Sequence, residues 1–515
     1  MIFNQQIGSG SGGGSILLSS IAIVTPPLKT QYRPGDTFDR EGMIVRATYS
    51  NGATLDVTAY TVTPQVMALG TESVTITYAE DGVVRTATQP VTVEVFEATI
   101  IVTSPIGATL TCEGGGGTQT KTSTGSDTFT VAEAGTYTIT ATDGENTASG
   151  TVEITASGET KSIELAFVHI YSVSWDGSAN PKLTRGDDAA DFEDPVPAVG
   201  AGTGSSPFDD LLPWSGMQKV TDGENVLVSI PKFWVKVSYF PFKVQIADKE
   251  IEGFQVSPAH RDRGDGQGER DVVYIGRYEC DNSYMSRSGQ SPGVNKALAT
   301  FRSGIKRLGT GYYQADYAIQ LTWWMLYLVE FANWNGQTAI GRGYVDGHSA
   351  AINTGGTDSM IYHTGRAEGV DGNTAIEYRW IENPWGNVWE YRDGIIFADT
   401  NICTYNNPEN FSDAYNGTGA TIRSNKRAPA IGYISEWGYD TSDNSFIYPS
   451  SAAGTDSTYV PDGCSYKSGG SALLVGGSWA DAFFAGPFSL NGTDPPSTAY
   501  IAYGSRLQKL PSKAA

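Results

Sequence analysis

Along the first third of the chain, apolar and polar residues alternate in short runs that end at turn residues. Ile21-Ala22-Ile23-Val24 stops at Pro26-Pro27, and Met43 to Tyr49 stops at Ser50-Asn51-Gly52. Ser73 to Tyr78 faces Val83 to Thr86 across Glu80-Asp81-Gly82, and Pro90 to Val95 closes the set. A period of two places alternate side chains on one buried face, so these runs predict antiparallel strands of a sandwich over residues 19–96. Thr99–Val102, Asp127–Val131, Gly135–Ala141 and Ser149–Ile154 predict a second, smaller sandwich over 97–166, with Gly114 to Gly117 as a flexible tip. Neither module gathers residues that suggest catalysis.

The pattern changes after residue 166. Residues 168–270 read as an irregular lead-in holding two strands, Val226–Ile230 and Phe233–Val237, joined near Pro231. Thr322–Trp334 predicts a helix capped by Thr322, with Met325, Leu328 and Phe331/Ala332 on one face. The region 167–515 is therefore expected to be α+β. Residues 1–18 are Gly/Ser-rich; Gly8-x-Gly10-x-x-Gly13 lacks the preceding strand and βαβ unit of a dinucleotide fingerprint. That segment is expected to be a flexible connector that docks onto a larger assembly.

At the C-terminal end, Gly476 to Leu507, periodicity fails. Ala480, Asp481, Phe483, Phe484, Ser489, Thr493, Thr498, Tyr500, Ala502 and Tyr503 follow neither a two-residue nor a 3.6-residue repeat. Gly486, Pro487, Asn491, Gly492, Pro495 and Pro496 set turns between them. Tyr, Ser, Asp and Phe on a stiff frame are what an adaptable binding surface uses. Ordinary loop and strand core, with the aromatics buried, is the competing reading.

Composition narrows the function classes. The 515 residues exceed one ordinary core, and 61 Gly, 24 Pro and 11% aromatics suit loop-rich β structure. With a net charge of −22 and no basic run, a nucleic-acid partner is disfavoured. The 4 Cys, at 112, 280, 403 and 464, form no C-x-x-C, which argues against a zinc knuckle or a disulfide scaffold and favours free thiols. The 4 His, at 169, 260, 348 and 363, show no metal-ligand spacing. The N-terminus lacks the basic and apolar regions of a secretory signal, and LTWWMLYLVEF is too short to span a bilayer. Asp262-Arg263-Gly264-Asp265 misses calcium-loop spacing and reads as solvated loop.

Gly476-Gly477-Ser478-Trp479, Ala485-Gly486-Pro487-Phe488, Leu490-Asn491 and Gly504-Ser505-Arg506-Leu507, in that order, resemble the C-terminal cassette of the formylglycine-generating-enzyme branch of the C-type lectin fold. More narrowly they resemble the variable region of proteins diversified by diversity-generating retroelements. The non-periodic residues above fall where that resemblance places the randomised, receptor-binding positions. Tyr32-Arg33-Pro34-Gly35-Asp36 and the Asn51-Gly52 hairpin resemble bacterial immunoglobulin-like domains. The implied order is two all-β immunoglobulin-like sandwiches, then a C-type lectin-like domain at 167–515 with its variable region at 476–507.

Asn383-Pro384-Trp385-Gly386-Asn387-Val388-Trp389-Glu390 is similar to a calcium-binding segment of the same family. The resemblance implies a structural Ca2+ held by the side chains of Asn383 and Glu390 and the backbone carbonyls of Gly386 and Val388; a Trp-rich core turn is the alternative. Where the enzymatic members carry two cysteines this chain has Asp481 and Gly486, neither of which can act as a thiolate. Formylglycine-type oxidation is then excluded unless the fold brings Cys403 and Cys464 together.

The resemblance implies a non-enzymatic phage tail-fibre or tail-tip adhesin, located in the virion and binding a bacterial cell-surface protein or glycan. Its N-terminus would meet other tail proteins; it would insert into no membrane, and a homotrimer is compatible with the sequence although no coiled coil is visible. A glycan-cleaving enzyme on the same scaffold and a bacterial surface adhesin are the alternatives.

Overall fold

The computed structural model describes residues 15–144, 146–424, 431–467 and 469–512. Most of the expected connector, residues 1–14, lies outside them, and Leu18 already belongs to the first strand. The chain divides into two compact units, Met1–Phe167 and Val168–Ala515.

The first unit holds two β-rich halves with separate cores. In the first half, Leu18–Thr25, Ile44–Tyr49 and Thr54–Val57 form one sheet, while Thr61–Thr63, Ser73–Glu80 and Val83–Pro90 form another. Alternation decides the facing: Val45, Ala47, Val74 and Ile76 are fully enclosed, while Arg46 points outward and pairs with Asp56. Asp81 and Gly82 both adopt positive φ, the conformation of the tight turn that joins right-twisted strands. In the second half the predicted strands are joined by Thr109–Gly114, Gly117–Thr122 and Thr160–Glu164, which the sequence pattern did not single out. Gly114 to Gly117 closes a hairpin, with Gly115 and Gly116 at positive φ. The expected flexible tip is thus an ordered two-residue turn.

The second unit is also mostly β, with few helices. Its core surrounds α2 (Tyr317–Phe331), which follows the shorter α1 (Leu298–Lys306). Every residue of α2 except Ala318 is buried, so this helix is enclosed all round rather than amphipathic. It begins five residues before Thr322: Asp316 caps it by accepting from the Ile319 N–H at 2.9 Å. Thr322 instead donates to the Ala318 carbonyl and accepts from the Ala259 N–H. Ala332, in the left-handed conformation, ends the helix. Among the described residues no helix is long and apolar enough to cross a membrane.

Residues 168–270 are more regular than the sequence suggests. Ile170–Trp175, Thr184–Asp187, Trp234–Tyr239, Phe242–Ala247 and Gln255–Val256 build one five-stranded sheet. Arg263, expected in solvated loop, is 1% exposed. The largest sheet is built around Trp389–Ala398. It carries Ser471–Val475, Leu490–Gly492 and Gly463–Tyr466 on one side and Asn401–Tyr405 with Ala420–Arg423 on the other. Tyr503–Ser505 runs parallel to Trp389–Tyr391, so both ends of the non-periodic stretch meet one central strand.

Candidate functional site

The frame of residues 476–507 is bolted to the segment 383–391. The Gly386 N–H donates to the Gly476 carbonyl at 3.1 Å, Trp479 N–H to the Asn387 carbonyl at 3.1 Å, and Trp389 N–H to the Ala502 carbonyl at 2.9 Å. Gly476 and Gly477 have φ of 90° and 83°, and a Cβ on Gly477 would sit 2.4 Å from that of Ala485. Only glycine fits there. Phe488 forms the inner anchor: its ring centroid lies 5.0 Å from Trp334, 5.2 Å from Trp324 and 5.8 Å from Tyr327. Pro487 is fixed by the Trp324 indole N–H, which donates to its carbonyl at 2.6 Å. Asp462 accepts from the Phe488 N–H at 2.7 Å, and burial raises its carboxyl well above the ordinary range. These contacts hold the backbone between the displayed side chains.

Two chain segments then line one cleft of about 520 Å³. Ala480, Asp481 and Phe484 come from the first, Tyr500, Ala502 and Tyr503 from the second. Tyr500 is half exposed and stacks edge-on to Tyr503 at 5.1 Å. The Asp481 carboxylate accepts from Ser478 N–H at 2.7 Å and Ser478 hydroxyl at 2.5 Å, which fixes the turn but leaves one oxygen unbonded by these contacts. Phe484 packs edge-on to Tyr433 at 5.5 Å.

The other candidate positions lie elsewhere. Phe483 opens onto a separate cavity, where the Arg342 guanidinium sits 4.2 Å from its ring centroid. Thr493 and Thr498 are half-buried outside the cleft; the Thr493 hydroxyl donates to the Asn491 side chain at 2.7 Å. Ser489 is completely buried and donates to the Phe484 carbonyl at 2.8 Å, so it belongs to the frame and offers no surface. Ala502 and Tyr503 touch the cleft yet are only 5% and 8% exposed. The Tyr503 hydroxyl is committed to Asp494 at 2.6 Å, and burial together with that carboxylate pushes it far above its ordinary value. Both are better described as cleft floor.

Sequence reasoning missed several lining residues. Ile501 is 54% exposed beside Tyr500, and an apolar residue in so irregular a segment was its available signal. Asn491, assigned to the frame, also lines the cleft, as do His348, Ser465 and Ile431. The last three come from distant segments and carried no local signal.

The residues named for calcium do not fit a cation. Both Glu390 oxygens are already taken by guanidinium groups: Arg506 donates to Oε1 at 2.6 and 2.9 Å, and Arg392 approaches Oε2 at 2.7 Å. Burial acts to raise the Glu390 carboxyl, but Arg506 and Arg392 outweigh it and hold it below the ordinary range. Arg506 also donates to the backbone carbonyls of Gly276, Arg277, Glu382 and Asn383. The Asn383 side chain is turned toward Glu279 and the Ile376 N–H. The Val388 side chain is core and the Gly386 N–H serves the frame, observations that bear on the loop and not on the backbone carbonyls the resemblance names. A divalent ion on the named set would meet positive charge on both sides of Glu390, the one carboxylate among the four residues. Among the described residues, no group of three or more His, Cys, Asp or Glu is placed to hold a metal.

Cys403 and Cys464 are buried free thiols, and burial pushes them up to about 11 and about 12. Their strands are separated in the sheet by Trp389–Ala398, Ser471–Val475 and Leu490–Gly492, so they do not meet.

Comparison with known proteins identifies one module. Residues 25–93 match the bacterial Ig-like domain (group 3). No curated protein matches the chain. Among solved structures, the Major Tropism Determinant P3c variant aligns at 10% identity over 92% of this chain and 96% of its own, with a TM-score of 0.24. The I1 variant aligns at 10% identity over 94% and 99%, with a TM-score of 0.25. The Bacillus anthracis TIE protein aligns at 11% over 52% and 53%, with a TM-score of 0.15. Likenesses of this size carry neither fold nor function to this chain.

Proposed function

We propose that the chain is a receptor-binding protein of a phage tail, a fibre or tip adhesin that attaches to a bacterial surface protein or glycan. The observation that carries this reading is the shared cleft. Ala480, Asp481 and Phe484 face one concavity with Tyr500 to Tyr503, while the glycines, Pro487 and Phe488 between them are locked into the core. A surface of this kind exchanges side chains without moving its backbone. Tyr500 and Phe484 supply flat contact area; Asp481 and Asn491 supply hydrogen bonds. On the resemblance of the held motifs, the frame is a C-type lectin-like domain of the formylglycine-generating-enzyme branch and the display positions are diversified. The Ig-like modules serve as spacers from a virion attachment point.

The cleft supports binding over hydrolysis. Among the described residues Asp481 is its one lining carboxylate, whereas a glycosidase needs a pair flanking the scissile bond. Tyr500→Ala and Phe484→Ala, made singly in the full chain, should each reduce adhesion to susceptible cells from a bacterial panel by about tenfold or more. Tyr500→Ala should leave the melting temperature unchanged, whereas Phe484→Ala should also lower it, because its ring packs on Tyr433 and the core. Adhesion by the double variant equal to that of the unaltered chain would remove the cleft from the account. Turnover of a surface glycan by the purified chain would replace the adhesin with an enzyme.

A further inference from the structure

A cavity of about 230 Å³ lies at the N-terminal end of α2 and shares no lining residue with the cleft above. Arg261, Arg263 and Arg423 line it, opposed by Asp316 and Asp443, with Phe446 as an aromatic wall. Arg263 belongs to the Arg-Gly-Asp tripeptide, yet it is 1% exposed. Its Nε donates to the Asn406 carbonyl at 2.7 Å and its Nη2 to Asp316 at 2.6 Å. Its Nη1 has no partner among the described residues.

A buried charged donor without an acceptor is costly, so its persistence in a cavity wall points to a ligand that supplies the acceptor. Asp316 cannot turn to serve it, because its other oxygen caps α2. The neighbouring guanidinium groups are held in place. Arg261 donates to Asp443 at 3.1 Å and to Ser445 at 2.8 Å; Arg423 donates to Thr404 at 3.2 Å and lies 4.0 Å from the Phe446 centroid. Asp440, which also pairs with Arg423, does not line the cavity. Planar, pre-positioned forks of this kind suit carboxylate and phosphate oxygens.

We propose that this cavity is a second binding site, taking a small oxyanion, carboxylate or phosphate, on a ligand no larger than one sugar ring. Arg263 Nη1 provides the fixing hydrogen bond, and Arg261 and Arg423 the surrounding positive charge. The volume is below the roughly 300 Å³ at which drug-sized pockets begin, so a free ion or a single ring is the occupant that fits.

Calorimetric titration of the full chain with inorganic phosphate, glucuronate, glucose 6-phosphate and glucose tests the site. At least one of the three anions should bind, and glucose should not. Phosphate binding alone would identify a free ion; glucuronate or glucose 6-phosphate binding would identify a sugar-borne group. Arg423→Gln, at the more open side, should weaken that affinity by about tenfold, and Arg263→Gln by more. If Arg263→Gln melts early, Arg423→Gln carries the test. Tyr500→Ala should bind the anion as the unaltered chain does, which separates this site from the adhesive cleft. Absence of heat with all three anions at millimolar concentration, equal binding of glucose, or unchanged affinity in Arg423→Gln would each overturn the proposal.

Discussion

Arg506 and Glu390, 116 residues apart in the chain, form an enclosed ion pair at 2.6 Å that joins the link between the last two strands, Tyr503–Ser505 and Leu507–Lys509, to the central strand Trp389–Ala398. Arg506 meets six acceptor oxygens in that position: both of Glu390 and the carbonyls of Gly276, Arg277, Glu382 and Asn383. Removing one member of a buried pair typically costs about 3–5 kcal/mol, because the remaining groups lose their partners while staying out of water. Arg506→Met should fall at the upper end of that range, since four carbonyls lose donors as well. Arg506→Lys should recover only part of the loss, because an ammonium cannot fork. The melting temperature of the unaltered chain should not respond to EDTA or added calcium. A drop of several degrees on chelation would restore the cation.

Phe488 is the second dependency. Its burial among Trp324, Trp334, Tyr327 and Trp437 fixes the turn that carries the cleft's first segment. Phe488→Ala should cost about 3–5 kcal/mol by denaturant titration, as other buried aromatic truncations do. It should also weaken adhesion, although Phe488 itself is inaccessible. A loss of stability without a loss of adhesion would show that the two segments hold their places independently.

Acid dependence separates two neighbouring glutamates. Burial raises Glu279 from its ordinary 4.5 to about 8, only partly opposed by Arg506. Its side chain meets Asn387 at 3.0 Å. The folded state therefore keeps a proton that the unfolded chain releases, and this group's contribution to stability falls as pH rises from 4.5 through about 8. Glu390 acts oppositely: its carboxyl is held low, so its contribution is lost as pH falls through that lowered value. Glu279→Gln should flatten the decline between about pH 5 and 8 without altering the acid limb. Urea midpoints across that interval measure it, and parallel slopes in both proteins would show that Glu279 is charged in the fold.

The parts of the structure legible in the sequence are those whose cause is local. Val45 and Ala47, or Val74 and Ile76, announce a strand because period-two burial needs only neighbouring residues, and Asp81-Gly82 announces its turn through backbone preference. Ile170–Trp175 was legible too, since Tyr171, Val173 and Trp175 alternate with Ser172 and Ser174, but it lies in a segment that reads as an irregular lead-in. The start of α2 escaped for a different reason: a helix enclosed all round shows no polar stripe, and its Asp316 cap stands before the apolar run. Within the candidate site, the turn residues announced the frame. Which displayed positions share a cleft depends on the separate routes of 480–484 and 500–503, and the Arg506–Glu390 pair on strands far apart in sequence.

That distinction gives a prediction within the non-periodic set. Ala480 and Tyr500 lie open on the cleft, so replacements there should change stability by no more than about 0.5 kcal/mol, as surface substitutions usually do. Replacing Asp481, whose carboxylate holds the Ser478 turn, should cost about 1 kcal/mol or more. Ser489 is fully enclosed, and a larger residue there has no space to enter; overpacking of that kind typically costs about 1–3 kcal/mol. Gly477→Ala should be worse than its single methyl suggests, because the Cβ would collide with Ala485 at a backbone φ of 83°. A library randomised at each position and sorted first for folding should therefore retain nearly every residue type at 480 and 500, and favour hydrogen-bond acceptors at 481. At 489 it should retain small residues alone, and at 477 glycine. Recovery of bulky residues at Ser489 would mean that the frame yields, and the separation between fixed backbone and exchangeable side chains would be lost with it.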